Sequence, residues 1–369
     1  MATWDIVLTN KAGDVTGVLD APAGLKYTRR ESDYNQLELG TLNSHDLNLI
    51  ALHPYKTKLQ AWRNNDLVFW GDIVDPITVT QSGAQVIAKD AFARLDAPTR
   101  TKYTFNDKTL KHIAETVIGG ETTYGARDIA FGSETVTEIF DRQITKGQRM
   151  GEFIKTCCTV SPTGGSYFRC DALDDPDNPV AMHFGDGGDR TDNTGARWEY
   201  GTGTIDNVSE FVVEARGLVN RVYVYNNNQS VVVEDTDSID EYGLVEKWYR
   251  RPGVNHIATL TALAYSKLQP SPFTVVSFVP TADGPKLFDD FDVGDKCRAY
   301  FQLDGESMVY SASNMIPVTV ELTIDESGVE NVNFSEGQLV AKGQNSPYNP
   351  DRYDKPRVEA VATFALTAT

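Results

Sequence analysis

The sequence predicts a mainly β protein with an α+β insertion. Three observations predict it. Alternating apolar and polar residues with turn signals fill the first hundred positions. Apolar residues then recur at helical spacing between about 105 and 165. Alternation returns after residue 206.

In the first region, Leu59 to Arg63 is a short strand and Asn64-Asn65-Asp66 turns the chain. Leu67 to Asp75 returns, with Gly71 expected as a bulge. Pro76 breaks the run, and Gln81-Ser82-Gly83 separates Ile77 to Thr80 from Ala84 to Lys89. This pattern is an antiparallel meander. Trp62, Phe69 and Trp70 suit its pleated, half-buried surface.

The insertion, expected over 101–205, opens with an amphipathic helix. Leu110, Ile113, Ala114 and Val117 share one face, and Gly119-Gly120 stops it. A second helix carries Met150, Phe153, Ile154, Cys157 and Cys158, closed by Pro162 and Gly164-Gly165. Residues 171–204 are rich in Asp, Gly and Asn, which predicts a long loop.

The second β region is expected over 206–340. Arg221 to Tyr225 and Ser230 to Glu234 flank Asn226-Asn227-Asn228, a hairpin pattern. A helix over 255–268 interrupts it, with Asn255 as N-cap and Pro270 as stop. Val318, Val320, Leu322 and Ile324 then alternate on one face, before the turn 325–328 and the strand 329–335. Residues 341–369 form a Pro-rich linker and an apolar, extended arm.

Length and composition narrow the function classes. The 369 residues predict two or three domains, and 40% hydrophobic with 23% charged residues is a globular balance. No apolar run reaches the ~18 residues of a membrane span, and the first residues lack a signal-peptide pattern. The formal charge of −18 repels phosphate backbones, so no specific nucleic-acid binding is expected. Cys157, Cys158, Cys170 and Cys297 form no C-x-x-C pair, which argues against a zinc site or disulfide framework, and Cys157 and Cys158, on the apolar positions of a predicted helix, are expected as buried small hydrophobes.

Phrases in both β regions resemble the tail hub family of bacteriophages, the baseplate hub and tail-tip proteins. One stretch is Leu218-Val219-Asn220-Arg221-Val222-Tyr223-Val224. It continues to Ser238-Ile239-Asp240-Glu241-Tyr242-Gly243, an "S-I-x-x-Y-G" phrase. The 255–268 helix follows, then Phe291-Asp292-Val293-Gly294-Asp295-Lys296-Cys297, like the family's "V-G-D" before a strand, and the hairpin from Val318 to Phe334. Phe69-Trp70-Gly71-Asp72-Ile73-Val74-Asp75 is a looser match in the first region. Order and spacing carry the resemblance, since each phrase alone is short.

The resemblance implies two tail-tube-like β-barrel domains, over 1–100 and 206–340, flanking and joined by α+β elements. It implies a homotrimer whose six barrels form a pseudo-sixfold ring between the hexameric tail tube and a threefold tip. The implied neighbours are a distal tail protein, a tape measure protein and other tip or fibre proteins, with DNA passing through the channel. The implied location is the virion tail tip, after synthesis in the host cytoplasm. Up to residue 369 there is no long C-terminal extension, which puts receptor-binding or lytic roles on other proteins.

Candidate chemistry is sparse. There is no G-x-S-x-G elbow, H-E-x-x-H helix or phosphate loop, and the five histidines are scattered. No enzyme activity and no cofactor are expected. The acid-rich run Asp171, Asp174, Asp175, Asp177, Asp186, Asp189 and Asp192 is oxygen-rich. Asp186, Asp189 and Asp192 are its calcium candidates, although the order departs from a D-x-D-x-D-G loop and predicts a solvated loop instead. Tyr223, Tyr225, Trp248 and Tyr249 would suit a sugar platform, or equally packing and interface contacts. Val358, Val361, Phe364 and Leu366 are expected to reach a neighbouring subunit by strand addition. Two alternatives to a hub stay open at this point: a carbohydrate-binding or adhesin-like tip protein, and a cell-wall hydrolase.

Overall fold

The computed structural model describes residues 2–19, 24–42, 50, 57–73, 78–80, 83–121, 128–135, 140–158, 166–185, 191–226, 229–251, 257–265, 267–270, 272–302, 308–325, 329–339 and 357–360. The chain divides into two units. The first holds Met1–Val160, Gly164–Val212 and Val276–Ala341; the second is built mainly from Val213–Val275 and also takes Lys342–Thr369.

The first unit starts with eight strands: β1 (Trp4–Thr9), β2 (Val15–Leu19), β3 (Leu25–Arg30), β4 (Gln36–Leu42), β5 (Lys58–Arg63), β6 (Asp66–Ile73), β7 (Thr78–Thr80) and β8 (Gly83–Asp90). The β5–β6 turn is made by Asn64 and Asn65, both with positive φ (51° and 70°), which Asn tolerates better than most residues. Gly71 is not a bulge; the register shift lies at Ala61/Trp62. A Cβ at Gly71 would sit 2.4 Å from the Lys89 carbonyl oxygen, so glycine is needed for close approach of β6 to β8.

A 3-10 turn (Ala91–Asp96) leads into β9 (Tyr103–Lys108), α1 (Leu110–Gly120), β10 (Ile129–Glu134), β11 (Phe140–Ile144), α2 (Met150–Cys157), β12 (Tyr167–Ala172) and β13 (Val180–Gly185). Thr109 caps α1 by accepting the His112 N–H. The predicted apolar faces of both helices are buried, except that Cys158 is the half-buried C-cap of α2, and they share a core with Phe92, Phe105, Phe168 and Phe184. Part of the expected 171–204 loop is strand: β13 pairs with β10 and β12. Its run Val180-Ala181-Met182 satisfies its backbone only through partners about 10 and 50 residues away, which no local signal records.

The insertion ends near 185, because β14 (Asp192–Tyr200) joins the large sheet through β20 (Lys296–Gln302). That sheet also takes β15 (Val208–Arg216), β19 (Phe273–Pro280), β21 (Met308–Ile324) and β22 (Glu330–Leu339). Its main path runs β15-β19-β22-β21-β3-β4-β8-β6-β5-β1-β2. The two β regions therefore meet by strand pairing, with Leu322 opposite Tyr27 and Val320 opposite Arg29. They share one apolar core, in which fully buried Trp198 packs on Phe278, Phe291 and Phe334.

The second unit holds β16 (Arg221–Tyr225), β17 (Gln229–Glu234), α3 (Thr236–Tyr242), β18 (Glu246–Arg250), α4 (Ile257–Tyr265) and β23 (Arg357–Ala360). Its sheet order is β18-β16-β17-β23. Residues 206–340 are thus not one body: 213–275 packs on its own core of Val222, Val224, Val231, Val233, Leu260, Ala264 and Leu268. The expected N-cap Asn255 lies outside the described residues. The "S-I-x-x-Y-G" phrase has a local explanation. Asp235 caps α3 by accepting the Ser238 N–H, the Ser238 hydroxyl donates to the Pro270 carbonyl, and Gly243 (φ +80°) ends the helix. Fully buried Asn220 fixes the exit, donating to the Gly243 carbonyl at 2.7 Å and accepting the Val245 N–H at 2.7 Å.

Candidate functional site

Two features stand out from the residues upward: a seam of buried arginines in the first unit and an aromatic face in the second.

The seam is organised by the loop from Pro285 to Asp295. Along β3 the core-facing positions are Leu25, Tyr27 and Arg29, so alternation itself carries a guanidinium inward. Arg29 is 3% exposed, and an unpaired charge at such a site would be costly. It donates to both oxygens of Asp292 (2.6 and 2.7 Å), to Asp171 at 2.5 Å and to the Cys170 carbonyl at 3.0 Å. Burial alone would raise the Asp171 carboxyl, but Arg29 and then Arg169 more than offset it and hold it below the usual carboxylate value. Arg63 on β5 is equally enclosed. It forks onto Asp289 (2.8 and 2.6 Å) and onto Glu330 (2.8 and 3.0 Å), and Glu330 also accepts the Trp4 indole N–H.

Phe288 stands between the two arginines, its ring 5.5 Å from the Arg29 guanidinium and 5.9 Å from that of Arg63. The "V-G-D" phrase shapes this loop. Gly294 has φ +84°, and Asp295 accepts the Asp292 N–H at 2.8 Å, which sets the Asp292 carboxylate toward Arg29. A smaller cluster, Arg94 with Asp72 and Asp128 beside buried Lys58, ties β10 of the insertion to β5 and β6. Burial, first of all, lowers the Lys58 ammonium's pKa.

Among the described residues, Ser133, His183 and Asp171 form a serine–histidine–aspartate grouping. The Ser133 hydroxyl lies 3.0 Å from His183 Nδ1, and His183 Nε2 lies 3.7 Å from Asp171. Nδ1 also faces the Ser133 backbone N–H at 3.2 Å, and Asp171 is already engaged by Arg29 and Arg169. The histidine–aspartate distance exceeds a hydrogen bond, so the third group does not orient the imidazole as nucleophile activation requires.

The aromatic face is on the small sheet. Val222 and Val224 point to α4, so Arg221, Tyr223 and Tyr225 point the other way. Parallel pairing sets Glu246, Trp248 and Arg250 beside them. Tyr223 and Trp248 stack with centroids 3.8 Å apart and planes 4° apart, and Tyr225 meets Trp248 edge-on at 6.2 Å. Trp248 is 59% exposed. Tyr249 lies on the opposite side, against the aliphatic core. Of the four predicted platform residues, three therefore converge and one does not.

Among the described residues the acid-rich run does not converge. Asp171 belongs to the arginine seam, Asp175 holds its own turn by accepting the Asp177 N–H, and Asp192 is opposite Lys296 in β14. Asp186 and Asp189 lie outside the described residues. Among the described residues no three His, Cys, Asp or Glu side chains group as metal ligands. Cys157, Cys170 and Cys297 are buried free thiols, and burial pushes Cys157 up to about 11. Val358 is opposite Val231 of its own chain in the antiparallel β17–β23 pair. Val361, Phe364 and Leu366 lie outside the described residues.

Sequence reading missed the arginine seam. Its one local signal was a charged residue at a core-facing strand position, Arg29 after Leu25 and Tyr27.

The fold is that of phage tail proteins. The chain is similar to the 43 kDa tail protein of prophage MuSo2 from Shewanella oneidensis, with TM-score 0.54 and 14% identity, covering 95% of this chain and 100% of that one. It is also similar to a tail protein from Neisseria meningitidis MC58 (TM-score 0.54, 10% identity, 92% and 96% covered). A chain of the Francisella PdpA-VgrG complex matches with TM-score 0.50 and 11% identity, over 94% of this chain and 59% of that one. No protein-family model and no curated protein sequence matches.

Proposed function

We propose that this chain is a structural, non-enzymatic subunit of a phage tail tip, a hub that forms a homotrimeric ring. The two β regions of each copy give a pseudo-sixfold ring joining the hexameric tail tube to a threefold tip. Its partners are a distal tail protein, a tape measure protein and other tip or fibre proteins, and its location is the virion. DNA passes through the channel without specific binding; the excess acid, −18 over the chain, favours a repulsive lumen over a phosphate-trapping one. The arm beyond Ala360, with Val361, Phe364 and Leu366, reaches a neighbouring tail protein.

The observation that carries this reading is the open large sheet. Among the described residues its main path ends at β2 and β15. Val15 and Val18 on β2 are 63% and 58% exposed, and Val212 on β15 is 46% exposed. Open apolar edges are an aggregation hazard unless another chain covers them, and a closed ring covers them in every copy. Electron microscopy of assembled tips, with the mass of the purified chain, tests it. Three copies in a ring is the expected result. One copy, true sixfold order or a lumen lined mainly by Lys and Arg would refute it.

A further inference from the structure

We propose that the outer face of the small sheet in the second unit is a binding platform for a neutral saccharide. This inference concerns the isolated chain and does not depend on ring assembly.

The face is built, not incidental. Alternation along β16 sends valines to α4 and tyrosines outward, and the parallel register brings Trp248 directly beside Tyr223. At 3.8 Å and 4° the two rings stack like upright plates, so Tyr223 occupies one face of the indole. Beyond Trp248 the sheet ends, since β18 is an edge strand, and the 59% exposure of Trp248 is the open remainder of that ring. Burying large aromatics is normally favourable, so a held, exposed indole marks a surface that meets something.

The rim identifies what it meets. Arg221 pairs with Glu234 at 2.6 Å and lies 3.9 Å from Glu246; the Trp248 indole N–H donates to Glu246 at 3.2 Å. Arg250 completes the outer row. Two arginines and two glutamates balance on this face, whereas the whole chain carries −18. A charged ligand finds no net field there, but a hydroxyl-rich one finds donors and acceptors beside an apolar ring. Sugars have this chemistry: a C–H face to lie on an indole and hydroxyls at the periphery. Strand addition at β18 is disfavoured, because Glu246, Lys247, Arg250 and Arg251 charge that edge.

The test uses the full chain and three neutral probes, maltohexaose, cellohexaose and chitohexaose, with hexagalacturonate as the acidic comparison. Affinity is read by isothermal titration in every variant, and the place of binding by the indole N–H resonance of Trp248, assigned by its loss in Trp248→Ala. At least one neutral probe should shift it with Kd near ~1 mM, and Trp248→Ala and Tyr223→Ala should each weaken binding at least about tenfold. Trp248→Phe should retain binding within a few-fold. Tyr225→Ala serves as the second variant if either alanine change lowers the melting temperature. Three outcomes overturn the proposal: no neutral probe perturbing Trp248 up to ~10 mM, unchanged affinity in Trp248→Ala, or tighter binding of the acidic probe. A fall in solution mass in Trp248→Ala would mark the face as a contact between copies and overturn it too.

Discussion

The two α-containing regions of this chain, residues 91–185 and 213–275, use the same residue classes in opposite ways. In the first, aromatics are inside: Phe92, Phe105, Phe153, Phe168 and Phe184 pack with α1 and α2, and charged groups tie the insertion to the strands of the large sheet. In the second, the core is aliphatic, and Tyr223, Tyr225 and Trp248 stand on the outside. An insertion anchored by aromatic packing and directional, charge-assisted bonds has one seat on the sheet. A small sheet stabilised by valine and leucine keeps its aromatic surface available for recognition. Position in the fold, not composition, separates an aromatic that stabilises from one that binds.

That contrast is sharpest in paired substitutions. Removing the arginine at the centre of the seam, Arg29→Ala, takes from Asp171 and Asp292 their buried partner and leaves them only the half-buried Arg169. A loss of about 3–5 kcal/mol in unfolding free energy is expected by denaturant titration. A loss under about 1 kcal/mol would mean that solvent reaches the pair and the seam is not an anchor. Phe168→Ala, which empties a fully buried site against Phe92, should cost about 3–5 kcal/mol as well.

Asp90 gives a subtler separation, through pH. It is 3% exposed, and burial pushes it up to about 7 even though it accepts the Asn35 and Phe92 backbone N–H groups. Its folded pKa lies above the unfolded one, so its relative contribution is most favourable below about pH 4. That contribution declines as pH rises toward 7, because the unfolded chain then releases a proton that the folded chain retains. The wild type should therefore lose stability relative to Asp90→Asn between about pH 4 and 7, by on the order of 1–3 kcal/mol. A gap that widens over this range would show the carboxylate to be stabilised in the fold instead.

The smallest effect is expected at Trp248→Ala, under about 1 kcal/mol, since its ring contacts with Tyr223 and Tyr225 and its hydrogen bond to Glu246 all lie on the exposed face. Calorimetry on this variant beside Phe168→Ala breaks the comparison if the two losses are equal.

Much of the fold was legible locally. Helical spacing located α1 and α2 with their buried residues, and the Asn-rich turn located the β16–β17 hairpin. Alternation put Val320, Leu322 and Ile324 on one buried face of β21, while Val318, at the register shift, is only half-buried. Three of the four platform aromatics share a face because their strands alternate, and that much was present in their spacing.

By itself, then, the sequence determined which residues share a face, where turns and caps fall and that the chain is mainly β. These depend on dihedral preferences and on periods of 2 and 3.6, which act over a few neighbours. Only the tertiary structure decided what covers each face. It paired β3 with β21 nearly three hundred positions away, and drew Asp289, Asp292 and Glu330 onto Arg63 and Arg29. It also put Tyr249 inside and Trp248 out. Strand partners are chosen by the summed burial and hydrogen bonding of distant segments, and no local window contains both sides of that sum.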